Sequence, residues 1–254
     1  MMSPDPPAEP TPPGVGRWRL QIERDPVSTA EWLRAEEALL DRVRNGEPSS
    51  CLIWQATRAI VLPRPLTDLP AFADAAAGME ARGWPVLPRL SGGTPVPQMP
   101  GVLNLSFVYP VASNLWSLEA AYRHLLAPLR LATRSFGLET DAGEVTGSLC
   151  AGRFDLAIGG RKFVGTAQRR RSGGRPGLSI ILAHATLWIA PDLDRACAAV
   201  GDFLTALGRP VDFRRETMTT LAAELGDSRP AEFLTGEFTN ALLRVLDGAE
   251  SPRR

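Results

Sequence analysis

The stretch GGRKFVGTAQRRR (Gly159 to Arg171) contains Lys162, the only lysine in a chain whose 28 basic residues otherwise are 27 arginines. Arginine can replace lysine wherever a solvated positive charge suffices, because both side chains keep their heads in water. It cannot do so where a compact ammonium with three rotatable donors is needed, since the guanidinium is a wide planar fork. The residues after Lys162 include Gly165, Thr166 and Ala167, small enough for a ligand to lie against the backbone. A fixed ammonium beside such a strip can stabilise negative charge developing on a carbonyl or phosphate oxygen.

Three further sets of residues could join it. RLSGGTPVPQMPG carries Arg89, Ser91, Gly92 and Gly93, a positive fork and hydroxyl beside two glycines whose backbone can approach a ligand closely. The competing reading is a Gly- and Pro-rich connection, and neither GxxxxGK[ST] nor GxGxxG is present. Cys150, in GSLCAGRFDLAIGG, is the cysteine nearest to these motifs. It is either an incidental thiol or a nucleophile supported by a positive field. His184, in LAHATLWI, reads by default as a satisfied core or edge histidine, and His124 in AAYRHLLAP has no partner in sequence. Arg169, Arg170, Arg171 and Arg175 read as a solvated basic loop or as a local patch for an acidic partner.

The elements that must position these groups come in mixed order. WRLQIER (Trp18 to Arg24) predicts a strand, and Ser28 to Gly46 predicts a helix opened by a capping box of Ser28 and Glu31. Its apolar face is Trp32, Leu33, Ala35, Leu39, Leu40 and Val43. CLIWQA (Cys51 to Ala56) and RAIVLP (Arg58 to Pro63) suggest a hairpin. A helix follows over 70–83, then a strand, VLNLSFVYP, over 102–110. The longest helical pattern, Ser117 to Gly137, contains Pro128, which should kink or split it. RFDLAIGG, RKFVGTAQRRR and LSIILAHATLWIA then read as three strands, with Gly159 and Gly160 as a tight hairpin turn. Helical patterns over 192–207, 215–226 and 230–247 complete the chain. Without regular strand–helix alternation, the expected class is α+β, or a mixed sheet carrying helices.

Composition sets outer limits. The chain has 254 residues, 44 % of them hydrophobic, and a formal net charge of zero, so no general field attracts nucleic acid or an anionic membrane. Cys51, Cys150 and Cys197 show no CxxC spacing and are odd in number, which argues against a zinc site and a disulfide framework. The expected metal set is none, and the expected location is the cytoplasm. The leader MMSPDPPAEPTPPGVG holds six prolines and no apolar core for a signal peptide. The run from Leu178 is too short to span a bilayer.

RLSGG, the following GVLNLSFV, GRFDLAIGGRKFVGTAQRRR and AHATL, with the upstream AEEALLDRV and RAIVLPRP, resemble in order and rough spacing the catalytic domain of lipoate-protein ligases, in the biotin/lipoate ligase superfamily. The resemblance runs over about residues 17–225 and favours the lipoate branch over the biotin branch. It implies a class II biotin/lipoate ligase-like catalytic domain, a mixed, largely antiparallel sheet packed with helices, assigned to 17–248 between a Pro-rich tail (1–16) and a C-terminal tail (249–254).

The resemblance also implies an ATP- and Mg-dependent ligase that activates lipoate or octanoate to acyl-AMP and passes the acyl group to a lysine of a lipoyl domain. The acceptor would be that of a 2-oxoacid dehydrogenase or of the glycine cleavage H protein type. Arg89, Ser91, Gly92, Gly93 and Asn104 would line the acyl-phosphate region. Asp155, Gly165, Thr166, Ala167 and His184 would lie by the adenylate, and Lys162 would contact the acyl carbonyl and phosphate. Thr94, Pro95 and Gln98 depart from the family loop, which tends to carry a third glycine and a histidine. Related transferases of this fold place a cysteine shortly before the lysine strand, so a Cys150-dependent octanoyl or lipoyl transferase, using an acyl carrier protein or other protein donor without ATP, is the alternative. A third reading is a non-catalytic acyl-binding member. No nucleic-acid or membrane partner is expected.

Overall fold

The computed structural model describes residues 18–247 except 24, 25, 27, 114 and 115. The two expected tails, 1–16 and 249–254, lie outside the described residues. A seven-stranded sheet is built from β1 (Arg19–Ile22), β2 (Ser50–Trp54), β6 (Val102–Ala112), β7 (Asp141–Ala142), β8 (Leu156–Ile158), β9 (Arg161–Ser172) and β10 (Leu178–Trp188). Its strand order is β1-β2-β6-β10-β9-β8-β7. Every neighbouring pair is antiparallel except β1 with β2. β3 (Ala59–Pro63), flanked by β4 (Val86–Arg89) and β5 (Val96–Gln98), forms a second, three-stranded sheet. The α+β class, with a mixed and largely antiparallel sheet, is therefore present.

Alternation along the long strands decides what packs where. Ile181, Ala183, Ala185 and Leu187 of β10 enter the main core, joined by Leu125 and Leu129 of α3 (Leu118–Arg134) and by Leu234 and Phe238 of α6 (Ala231–Leu246). Ile180 and Leu182 point to the other face, where Trp32, Leu39, Leu40 and Val43 of α1 (Thr29–Arg44) cover them. The small sheet packs on α2 (Phe72–Ala81) and α4 (Leu193–Ala206) through Ile60, Leu62, Met79 and Phe203. A short α5 (Leu221–Leu225) precedes α6.

Several expectations change in three dimensions. Cys51–Ala56 and Arg58–Pro63 do not make a hairpin, because β2 joins the large sheet and β3 the small one. Both strands are buried at every residue, so each needs cover on two faces, which separate sheets provide. Pro128 does not split α3: it is buried within one uninterrupted helix, where packing outweighs the lost backbone bond. Ser28 is the N-cap of α1 without a side-chain cap bond, so the expected capping box does not close. Arg169, Arg170 and Arg171 lie in β9, not in a loop. Gly159 and Gly160 do form the β8–β9 turn, both with positive φ, at 55° and 74°.

Candidate active site

The face of the large sheet covered by α1 changes character along its length. On β10 the side chains pass from Ile180 and Leu182 to His184 and Thr186, and on β6 from Val108 to Ser106 and Asn104. Register aligns these positions in two rows across the strands: Gly165–Thr186–Asn104–Trp54 and Ala167–His184–Ser106–Leu52. The first row, with Ala167 and His184 of the second, lines a slot that also takes in Leu33, Val61, Val96, Trp188, Arg89, Cys150 and Lys162. The empty space within it, open space at the mouth included, is about 620 Å³.

Lys162 is 1 % exposed, and its ammonium meets three acceptors at 2.7 Å: the carbonyl oxygens of Leu149 and Cys150 and Oδ2 of Asp155. Asp155 is fully buried and also accepts from the backbone N–H groups of Gly152 at 2.7 Å and Thr166 at 3.1 Å. Burial pushes this carboxyl upward, while the Lys162 charge and the two N–H donors oppose the push. Gly165 leaves room for this side chain, because a Cβ there would sit 3.2 Å from Lys162 Cε. The single lysine thus has a structural explanation. Three acceptors converge on one point, which an ammonium can serve and a planar fork cannot.

Cys150 is held in an unusual conformation, the only positive φ outside glycine among the described residues, at 51°. The Thr94 N–H donates to its Sγ at 3.1 Å. Gly93, with φ of 106°, is the residue that lets this loop approach: a Cβ there would lie 2.7 Å from Cys150 Sγ and 2.9 Å from an Arg89 terminal nitrogen. The other two thiols are unsuited to chemistry, since burial pushes Cys197 up to about 11 and Cys51 higher still. Cys150 alone of the three is partly exposed.

Arg89 is 6 % exposed and its donors are committed inward: Nε to Ser91 Oγ, one terminal nitrogen to Val61 O at 2.8 Å, the other to Gly92 O and Thr94 O. Burial weighs against its charge, and Cys150 and Glu36 are the neighbours that favour it. Ser91 Oγ lies 2.8 Å from His184 Nε2, and His184 Nδ1 lies 3.3 Å from Glu36 Oε1. Glu36 of α1 also accepts from Ser106 Oγ, which in turn accepts from Trp54 Nε1 at 3.3 Å. Asn104 and Gln98 exchange side-chain amide bonds at 2.9 and 3.1 Å, and Thr186 donates to Asn104 Oδ1.

All the residues expected at the site are therefore in one neighbourhood, joined by Gln98. Glu36 was missed. The signal was available: it lies on the Trp32–Leu39–Val43 face of α1, where a carboxylate is out of place unless something inside receives it. The arrangement places a partly exposed thiol beside a fixed guanidinium on the lining of the slot.

Comparison with known proteins gives the family. The lipoyl protein ligase A/B catalytic domain matches residues 28–246, and the chain belongs to that family of ligases and acyltransferases. An octanoyl-[GcvH]:protein N-octanoyltransferase of Kyrpidia tusciae is 33 % identical over 250 residues, 93 % of this chain and 82 % of that protein. The protein so named in Geobacillus kaustophilus is 36 % identical over 162 residues, 62 % of this chain and 57 % of that one. Lipoate-protein ligase A, in its crystal structure with ATP, shares the fold with a TM-score of 0.68 at 21 % identity, over 89 % of this chain and 83 % of that one.

Proposed function

We propose that the chain is a cysteine-dependent transferase that moves an octanoyl or lipoyl group between protein lysines, the alternative that the sequence opened. The observation that carries this reading is the placement of Cys150. Its sulfur receives a backbone N–H, lies beside Arg89 and opens onto the slot, while Lys162 holds its carbonyl. The full-length similarity to an octanoyl-[GcvH]:protein N-octanoyltransferase supports it.

The reaction balances without ATP. The Cys150 thiol loses its proton as its sulfur attacks the carbonyl carbon of an octanoyl-lysine amide on the donor protein; the C–N bond breaks and that proton leaves on the donor amine. The acceptor lysine amine then attacks the thioester, forming a new amide, and the proton it loses returns to the sulfur as the thiol. One lysine amide replaces another, so no activation by a nucleotide is required. The acyl chain runs from Cys150 along the slot over Gly165, Thr186 and Asn104 toward Trp54. The Arg89 charge, fixed beside the sulfur with its donors taken by protein acceptors, acts on the developing negative charge through its field. The donor is an octanoyl-GcvH-type H protein and the acceptor a lipoyl domain of the 2-oxoacid dehydrogenase type. A triphosphate fits the described donors poorly: the Lys162 ammonium and the Arg89 fork are committed to protein acceptors, and Thr94 N–H to sulfur. No step is therefore routed through ATP or Mg.

Intact-mass analysis of an apo lipoyl domain tests the proposal. Octanoyl-H protein without ATP is expected to add an octanoyl mass to the acceptor, and Cys150→Ala to abolish it. Gain only with lipoate or octanoate and Mg-ATP, retained in Cys150→Ala, would replace this reading with the ligase.

A further inference from the structure

A line of side-chain hydrogen bonds connects α1 to the residues around Cys150, and its direction is fixed by chemistry. Arg89 Nε can only donate, so Ser91 Oγ accepts from it at 3.1 Å. An ionised Glu36 can only accept, and its Oε1 already takes the Ser106 hydroxyl proton. His184 between them must then carry a proton on Nδ1, facing Glu36; in the neutral ring Nε2 presents its lone pair to the Ser91 hydroxyl. Every donor then finds an acceptor, from Arg89 through Ser91 and His184 to Glu36. The opposite tautomer would aim two lone pairs at each other across the Nδ1–Oε1 gap. Both contacts on Glu36 fall on one oxygen, so an amide could reproduce them.

We infer that Glu36, acting through His184 and Ser91, is a positioning residue that fixes the Arg89 guanidinium beside Cys150. Glu36 is 3 % exposed and Ser91 is 3 % exposed, so water does not substitute for either link. Arg89 in turn grips the carbonyls of Gly92 and Thr94, the loop whose Thr94 N–H reaches Cys150 Sγ. A carboxylate on the inner face of a helix thus sets the geometry of the reacting thiol through four intervening groups. The functional consequence rests on the transferase reading, but the positioning itself does not.

Glu36→Gln and Glu36→Leu separate the two. Gln keeps the accepting oxygen; Leu keeps the bulk and removes it. The first readout is hydrogen exchange of the Arg89 Nε–H by NMR in the full chain. Protection is expected in the native protein and Glu36→Gln, and its loss in Glu36→Leu. Equal protection in Glu36→Leu would overturn the inference. The second readout is acyl transfer: Glu36→Leu is expected to lower kcat about tenfold with the acceptor KM unchanged, and Glu36→Gln to restore most of it. Lost protection with unchanged kcat would overturn the catalytic consequence. If the native protein transfers no acyl group, the function reading fails and the exchange readout still decides the positioning. Should Glu36→Leu not fold, the ¹⁵N shifts of His184 in the native protein decide: a proton on Nδ1 is expected, and a bare Nδ1 would overturn the relay.

Discussion

The Lys162 ammonium lies 2.7 Å from the carbonyl oxygen of Cys150, the residue whose backbone turns left-handed on the lining of the slot. The same nitrogen pairs with buried Asp155, so one side chain ties the cysteine turn to the residue that leads into β8. Lys162→Arg keeps the charge but cannot direct three donors from one nitrogen. It is expected to fold and to slow acyl-enzyme formation about a hundredfold, read by single-turnover mass spectrometry. Lys162→Met leaves the Asp155 carboxylate unpaired and is expected to cost about 3–5 kcal/mol in urea unfolding. Wild-type rates in Lys162→Arg would remove the geometric argument.

Gly93 is constrained twice, by its φ of 106° and by the lack of room for a Cβ next to Cys150 and Arg89. Gly93→Ala is expected to lose about 1–3 kcal/mol of stability and to lower transfer at least about tenfold, since the loop must retreat from the sulfur. Gly92→Ala is the comparison for stability. Its Cβ would meet open space, and its unfolding midpoint should match the native one. A thermal melt and a transfer assay on both variants check this, and equal behaviour of the two would contradict it.

Much of this site could be read from residue types. The lone lysine after a GG turn, the RLSGG loop and the cysteine upstream are local patterns, and local patterns survive into three dimensions. β8 and β9 were legible because Gly159 and Gly160 specify their turn. What could not be read depended on pairings distant in sequence. β2 and β3 are neighbours in the chain but enter different sheets, a choice made by what covers each face. Glu36 hydrogen-bonds residues 70 and 148 positions away. The Gln98–Asn104 pair forms because β5 and β6 bring two amides together in a dry place, and no spacing rule encodes that.

That amide pair supports a prediction with a defined sign. Gln98 and Asn104 satisfy each other, and Thr186 adds a third bond. Asn104→Leu strands buried donors and acceptors on both neighbours and is expected to cost about 1–3 kcal/mol. Adding Gln98→Leu removes most of the stranded groups, so the double variant should recover part of that loss. Urea unfolding of the two single variants and the double gives the coupling; strict additivity would show that the pair contributes nothing as a pair.

His124 gives the expected pH dependence of stability. Its ring packs among Trp18, Phe107, Tyr109 and Trp116 at centroid distances of 5.4–5.9 Å. Its Nε2 is buried with no hydrogen-bond partner among the described residues. Burial lowers its pKa from 6.5 to about 4. Between those values the unfolded chain binds a proton that the folded chain refuses, so stability is complete above about pH 6.5 and falls as the pH drops toward 4. The loss reaches roughly 3 kcal/mol at the lower limit if the full shift is expressed. His124→Phe keeps the ring and removes the titration. Unfolding free energies at pH 7 and pH 4.5 are expected to differ less in His124→Phe than in the native protein. An equal difference in both would place the acid sensitivity on other groups.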